Sequence, residues 1–174
     1  KAYYCGLSKG GMVGQKLATR NPERLHAAVF CATSSYMGPA NLWQQRIDAA
    51  QAGGMESVSE GTLERWFTPN YHSSHASEIA KIREMIHATP VDGFAGCCIA
   101  IKDMDQRETI KTIDIPVLVI AGAEDPGTTP AMNKLIADSI PGAEYVELPD
   151  SAHFCNVQAT DGFNNALADF LLKH

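Results

Sequence analysis

Five residues near the N-terminus, Gly6-Leu7-Ser8-Lys9-Gly10, have the form G-x-S-x-G. A serine at the centre of that pattern can occupy a sharp strand-to-helix turn, because small neighbours avoid the collisions that side chains would cause there. The turn holds the hydroxyl proud of a sheet and lets the backbone N–H of the next residue, Lys9, face a developing oxyanion. Gly11 and Gly14 let the following helix lie close to its strands. A serine hydroxyl is a weak nucleophile until a base takes its proton, and the base needs an acid to orient it. For a serine placed in this way the expected chain order is Ser, then Asp or Glu, then His.

Two later segments supply the partners. Asp125 follows the apolar run Pro116 to Ala121 (PVLVIA) through Gly122-Ala123-Glu124, at a strand's carboxyl end. Glu124 competes for the role, but the run G-A-E-D-P favours Asp125 in the loop and leaves Glu124 to solvent. His153 lies in the loop after the next strand, in EYVELPDSAHF, again on the carboxyl side. The other histidines are placed less well. His26 starts a strand at its far end, His174 is terminal, and His87 sits within a helix. His72 and His75 fall in a polar stretch, NYHSSH, read as a loop.

These residues need a scaffold. Lys1 to Cys5 reads as the end of a strand and Gly10 to Arg20 as a helix stopped by Asn21-Pro22. Leu25 to Cys31 (LHAAVFC) is nearly continuous in apolar residues, as expected of a strand buried on both faces of a parallel sheet. The next seventy or so residues contain no convincing strand. Asn41 to Ala52, Ser77 to Thr89 and Val91 to Asp105 have helical character. Strands return at Pro116 to Ala121 and Glu144 to Leu148, with a helix from Pro130 to Ser139 between them and an amphipathic helix at the end. Strand–helix alternation of this kind predicts a mostly parallel α/β sheet, with the helical insertion as a cap over the carboxyl ends of its strands. The expected divisions are 1–37 for the nucleophile strand, turn, helix and next strand, 38–112 for the cap, and 113–174 for the rest of the core.

Composition limits the alternatives. The chain has 174 residues, 45% hydrophobic and 20% charged, an ordinary globular mix. A formal net charge of -6, without a basic stripe, gives no electrostatic footprint for nucleic acid. No signal-peptide pattern opens the chain, and no apolar run reaches membrane-spanning length. Five cysteines (5, 31, 97, 98 and 155) form no C-x-x-C pair, which argues against a zinc site and a disulfide framework. Reduced thiols packed as small hydrophobes in a cytoplasmic protein are expected.

Over nearly its whole length the sequence resembles the 3-oxoadipate enol-lactonases of the α/β-hydrolase superfamily. The resemblance is carried by GLSKGGMVGQKLATRNPERL around Ser8, by WQQRI and Gly53-Gly54-Met55, by DIPVLVIAGAEDPGTTP around Asp125, and by SAHFCNVQ around His153. The most particular segment is DGFAGCCIAIKDMDQR at Asp92 to Arg107. Departures are Lys9 where an apolar residue is usual, Phe154 after the histidine, and Gln158 where an acid is common. The resemblance implies an α/β-hydrolase fold and hydrolysis of a carboxylate-bearing enol-lactone in the bacterial breakdown of aromatic acids, the β-ketoadipate pathway. It implies Ser8, Asp125 and His153 as nucleophile, acid and base, with no metal and no organic cofactor. A small carboxylate-bearing lactone or ester is the partner expected. The substrate carboxylate needs a donor; Arg46, with Trp43 one turn earlier, is the candidate. Trp66 is expected in the cap core, with Arg83 and Arg107 on the surface.

A whole member of that family would carry several strands before Lys1, together with the loop that gives the second oxyanion N–H. Those N-terminal strands are absent from this chain, so it is expected to be a fragment of a longer gene product or one of two complementing chains. Two other functions remain open on sequence: a general carboxylesterase or C–C bond hydrolase with the same three residues, and an inactive truncated domain.

Overall fold

The computed structural model describes all 174 residues. Four strands form one parallel sheet in the order β1-β2-β3-β4: β1 Ala2–Leu7, β2 Leu25–Cys31, β3 Val117–Gly122 and β4 Glu144–Leu148. Parallel neighbours need a crossover, and helices supply it. The helix α1 (Lys9–Arg20) joins β1 to β2. Five helices, α2 (Ala40–Gly53), α3 (Glu56–Trp66), α4 (Pro69–Ser74), α5 (Ala76–His87) and α6 (Val91–Lys102), intervene before β3. The helix α7 (Pro130–Ser139) leads to β4, and α8 (Cys155–Gln158) and α9 (Thr160–Lys173) follow it.

Period-two alternation in the strands splits the core between the two faces of the sheet. Ala28 and Phe30 of β2 with Val117 and Val119 of β3 pack against Ala18 of α1 and Ile136 and Ala137 of α7. Their neighbours Ala27, Val29, Leu118 and Ile120 face the other way, onto Cys155, Phe163 and Phe170. Apart from the exposed His26 near the start of β2, both strands are apolar because both faces are covered.

The chain divides into two compact units, residues 1–35 with 105–174 and residues 36–104. Residues 105–112, grouped with the cap in the sequence reading, belong to the sheet-bearing unit. Ile110 is fully buried within the cluster on the α1 and α7 face, together with Ile113. In the helical unit, Ile47 of α2 packs with Ala95 and Cys98 of α6, flanked by Trp43 and Phe94. The stretch NYHSSH is helical rather than a loop. Thr68 caps α4 by accepting from the Tyr71 N–H at 3.4 Å, and Pro69 at the first helical position suits a helix start. Phe67 is fully buried where Trp66 is only partly so. Arg83 and Arg107 form ion pairs with Glu60 and Asp105 on exposed surface. The five cysteines are free thiols; Cys5 is exposed and Cys97 partly so, while Cys31, Cys98 and Cys155 are buried.

Candidate active site

Ser8 stands between β1 and α1 with φ 54° and ψ -115°, a left-handed backbone that a non-glycine residue occupies at a cost on the order of 1–3 kcal/mol. The turn is held on both sides. The Ser8 N–H donates to the Cys31 carbonyl at the end of β2 at 2.7 Å. A side chain on Gly6 would overlap the Gly10 carbonyl, so the strand can turn this tightly into the helix only with glycine there. Lys9 is the first residue of α1, where backbone N–H groups point out of the helix start toward negative charge.

Asp125 and His153 meet in the two loops that leave β3 and β4 at their carboxyl ends. The His153 Nδ1 lies 2.7 Å from the Asp125 Oδ2. Both side chains are buried, that of Asp125 wholly. The carboxylate is surrounded by donors. Its Oδ1 accepts from the Gly127 N–H at 2.8 Å and the Thr128 N–H at 3.0 Å; Oδ2 accepts from the Thr128 hydroxyl at 2.7 Å. Four donors satisfy a buried charge that would otherwise be prohibitive. Glu124, the competing acid, is exposed. The Thr128 Oγ1 is also 3.2 Å from the His153 Nδ1, so one hydroxyl touches both partners. With the proton on Nδ1 and hydrogen-bonded to the carboxylate, the ring presents Nε2 as its basic nitrogen.

The two loops are tied together. The Ala123 N–H donates to the Leu148 carbonyl and the Glu124 N–H to the Ser151 carbonyl, each at 2.9 Å. Gln158, a departure from the pattern of the family that the sequence resembles, bridges the histidine loop. Its amide donates to the Asp150 carbonyl at 2.9 Å and its oxygen accepts from the Ala152 N–H at 3.3 Å. An acid could accept there but could not donate. Burial first, and then the Asp125 charge, push the Cys155 thiol up to about 12, so it stays protonated beside the pair.

The remaining histidines are engaged elsewhere. His26 lies tilted against Tyr3 at 5.3 Å and His174 against Phe170 at 4.8 Å, while His75 stacks on Tyr71 at 4.0 Å. His72 donates to the Leu63 carbonyl, and His87 meets the Ser59 hydroxyl at 3.1 Å. In the helical unit the Arg46 guanidinium lies 5.0 Å from the centre of the Trp43 ring, whose indole N–H donates to the Met37 carbonyl. Burial, and next the charge of Arg65, pull that guanidinium below its ordinary value. No group of three or more His, Cys, Asp or Glu side chains is arranged to hold a metal, and no helix is long and apolar enough to cross a membrane.

Thr128, Asn133 and Gln158 are supports that the sequence reading missed. Thr128 had a signal: Asp-Pro-Gly-Thr is a turn in which an aspartate side chain accepts from N–H groups two and three residues on. Asn133 had none, because an asparagine within a helix is by default exposed.

A left-handed serine at the end of β1, with an acid after β3 and a histidine after β4 in the order expected, defines a class of protein. Residues 1–160 match the family described as alpha/beta hydrolase fold, and the chain belongs to it. Among characterised proteins it is 34% identical, over 96% of its length, to 3-oxoadipate enol-lactonase 2 of Acinetobacter baylyi, and 27% identical to enol-lactonase 1 of the same organism. Among solved structures it is similar to the enol-lactonase from Burkholderia xenovorans LB400 (37% identity, TM-score 0.94, 97% of this chain and 64% of that one). It is also similar to a hydrolase from Pseudomonas aeruginosa PA01 (40% identity, TM-score 0.94, 98% and 64%). The chain spans 62% and 64% of the two Acinetobacter relatives, a little under two thirds.

Proposed function

We propose that this chain is the catalytic-residue-bearing part of a serine hydrolase that opens 3-oxoadipate enol-lactone to 3-oxoadipate, within the β-ketoadipate pathway of aromatic catabolism. The observation that carries the proposal is the buried Asp125–His153 pair, closed at 2.7 Å, on the same sheet as a left-handed serine. Similarity to two enol-lactonases at 34% and 37% identity supports the substrate class.

In this reading Ser8 Oγ attacks the lactone carbonyl while His153 Nε2 takes its proton, and Asp125 stabilises the imidazolium so formed. The tetrahedral oxyanion meets the Lys9 N–H. Collapse breaks the ring C–O bond and leaves an acyl-enzyme; the departing enolate takes the proton from His153 and tautomerises to the ketone. Water, deprotonated by His153, then attacks the acyl carbonyl; the acyl C–O bond breaks and Ser8 Oγ leaves with the proton that His153 took from the water. Every step is a proton transfer or an acyl transfer, so no cofactor enters. Arg46 is the candidate for the substrate's carboxylate, supported by its half-buried charge without an ion-pair partner and its seat over Trp43.

The test is turnover of muconate-derived enol-lactone by the full-length gene product, followed by loss of the enol absorbance, with fluorophosphonate labelling in parallel. Turnover and labelling that are both lost in Ser8→Ala support the proposal. Labelling with turnover of p-nitrophenyl esters alone would replace the lactonase by a carboxylesterase. An unlabelled Ser8 would remove the serine mechanism.

A further inference from the structure

The nucleophile turn and the acid loop are more than a hundred residues apart in sequence, yet they are joined by a continuous path of hydrogen bonds, part-buried at Ser8 and buried from Thr33 to Asp125. The Thr33 hydroxyl, two residues beyond β2, donates to the Ser8 carbonyl at 2.7 Å. The Thr33 N–H donates to the Asn133 Oδ1 at 2.9 Å. The Asn133 amide donates in turn to the Thr128 carbonyl at 2.9 Å and the Thr129 carbonyl at 3.1 Å. From Thr128 the hydroxyl reaches the Asp125 carboxylate at 2.7 Å. Thr33 and Asn133 are both fully buried.

Two features set this path apart from ordinary core satisfaction. Asn133 lies in the second turn of α7 and faces a core where an apolar side chain would serve the helix better. Its amide oxygen instead accepts from Thr33, outside α7, and its amide nitrogen donates to the Thr128 and Thr129 carbonyls at the start of α7. Thr33 is gripped as well: a Cβ on Gly11 would fall 2.7 Å from its side chain, so α1 is pressed directly onto this residue. A fully satisfied buried polar network holds its members in one arrangement, since any shift leaves an orphaned group.

We propose that Thr33 and Asn133 form a strut that fixes the acid loop relative to the nucleophile turn, which makes both of them positioning residues for Ser8, His153 and Asp125. The inference rests on the catalytic reading of those three residues given above. The strut acts through its neighbours: Thr33 holds the strained Ser8 backbone, and Asn133 holds the segment from which Thr128 braces Asp125. Misplacement of reacting groups by a fraction of an ångström to one ångström slows chemistry without weakening substrate binding.

The experiment compares the full-length gene product with Thr33→Val, Thr33→Ser and Asn133→Leu. The readouts are the rate of fluorophosphonate labelling at Ser8, kcat and KM for p-nitrophenyl acetate, and the low-field proton resonance of the His153–Asp125 hydrogen bond. Thr33→Val and Asn133→Leu are expected to label about tenfold to a hundredfold more slowly. The loss should fall on kcat with KM unchanged, and Asn133→Leu should shift or broaden the low-field proton. Thr33→Ser, which restores the hydroxyl, should recover the labelling rate. Variants folded by circular dichroism that label at the wild-type rate overturn the strut and leave the catalytic reading standing. A wild-type Ser8 that does not label overturns the catalytic reading, and the strut with it. Should Asn133→Leu fail to fold, the isosteric Thr33→Val against Thr33→Ser decides the question.

Discussion

The Asp125 Oδ2 and the His153 Nδ1 are 2.7 Å apart, with the carboxylate withdrawn from solvent and held by three further donors. That arrangement fixes the ring tautomer: with Nδ1–H pointing at a carboxylate, the free basic nitrogen is Nε2. Asp125→Asn keeps the shape and removes the preference, because an amide can donate to Nδ1 as readily as accept from it. The expected result is a fall in kcat of about 10⁴-fold with a fold that survives. Steady-state kinetics on the full-length gene product, with circular dichroism as the control, would show it. A variant that keeps more than a tenth of the wild-type kcat would rule out the orienting role.

Thr128 touches both members of the pair, at 2.7 Å and 3.2 Å. Thr128→Val removes the hydroxyl with little change of volume and leaves Oδ2 with one donor instead of two. A hydrogen bond to a buried charge contributes about 1.5–3 kcal/mol, so stability should fall by an amount of that order. Loss of the brace should also lower kcat about tenfold, the equivalent of 1.4 kcal/mol in the barrier. Chemical denaturation measures the first effect and turnover the second.

How much of this was legible in the sequence depended on whether a residue's role is local. Ser8 announced itself because its pattern is local: a side chain at Gly6 would strike the Gly10 backbone where the chain itself turns. β2 was readable to the residue because a strand covered on both faces is largely apolar, and β4 because turn residues, Pro141-Gly142 and Pro149-Asp150, bound it. The helix α3 was not, because Val58 and Leu63 are the only large aliphatics between Glu56 and Trp66 and make no clear stripe. The helix α4 was hidden by polar residues, although Thr68 and Pro69 marked its start. Thr33 and Asn133 were not legible at all. Their function lies in a bond between positions a hundred residues apart, which no local pattern encodes.

Cys155 gives a pH dependence with a definite sign. Burial, and then the Asp125 charge, raise its thiol from an ordinary 9.0 to about 12. The folded protein therefore keeps a proton that the unfolded chain gives up first. The associated stability is fully present below pH 9 and is lost as pH rises from about 9 toward about 12. Cys31, raised mainly by its hydrogen bond with Cys5 and then by burial, acts in the same direction. Urea midpoints from pH 8 to 11 should decline, and Cys155→Ala should decline less steeply even though its midpoint at pH 8 is lower for the lost packing. Parallel slopes for the two proteins would show that the thiol does not contribute.

The proposed role of Arg46 can be tested apart from the chemistry. Its guanidinium sits over Trp43, forms no ion pair, and is pulled down first by burial and then by the charge of Arg65. A bound carboxylate would relieve both costs, and a planar fork would hold it through two bonds. Arg46→Ala is therefore expected to raise KM for a carboxylate-bearing lactone about 10- to 100-fold, consistent with loss of about 1.5–3 kcal/mol of charged hydrogen bonding. The value for a neutral ester such as p-nitrophenyl acetate should stay within twofold, because no carboxylate is there to lose a partner. Arg46→Lys should recover only part of the affinity, since a point charge cannot reproduce the fork. Equal losses on both substrates would instead make Arg46 a packing residue of the helical unit and move the search for the carboxylate's partner elsewhere.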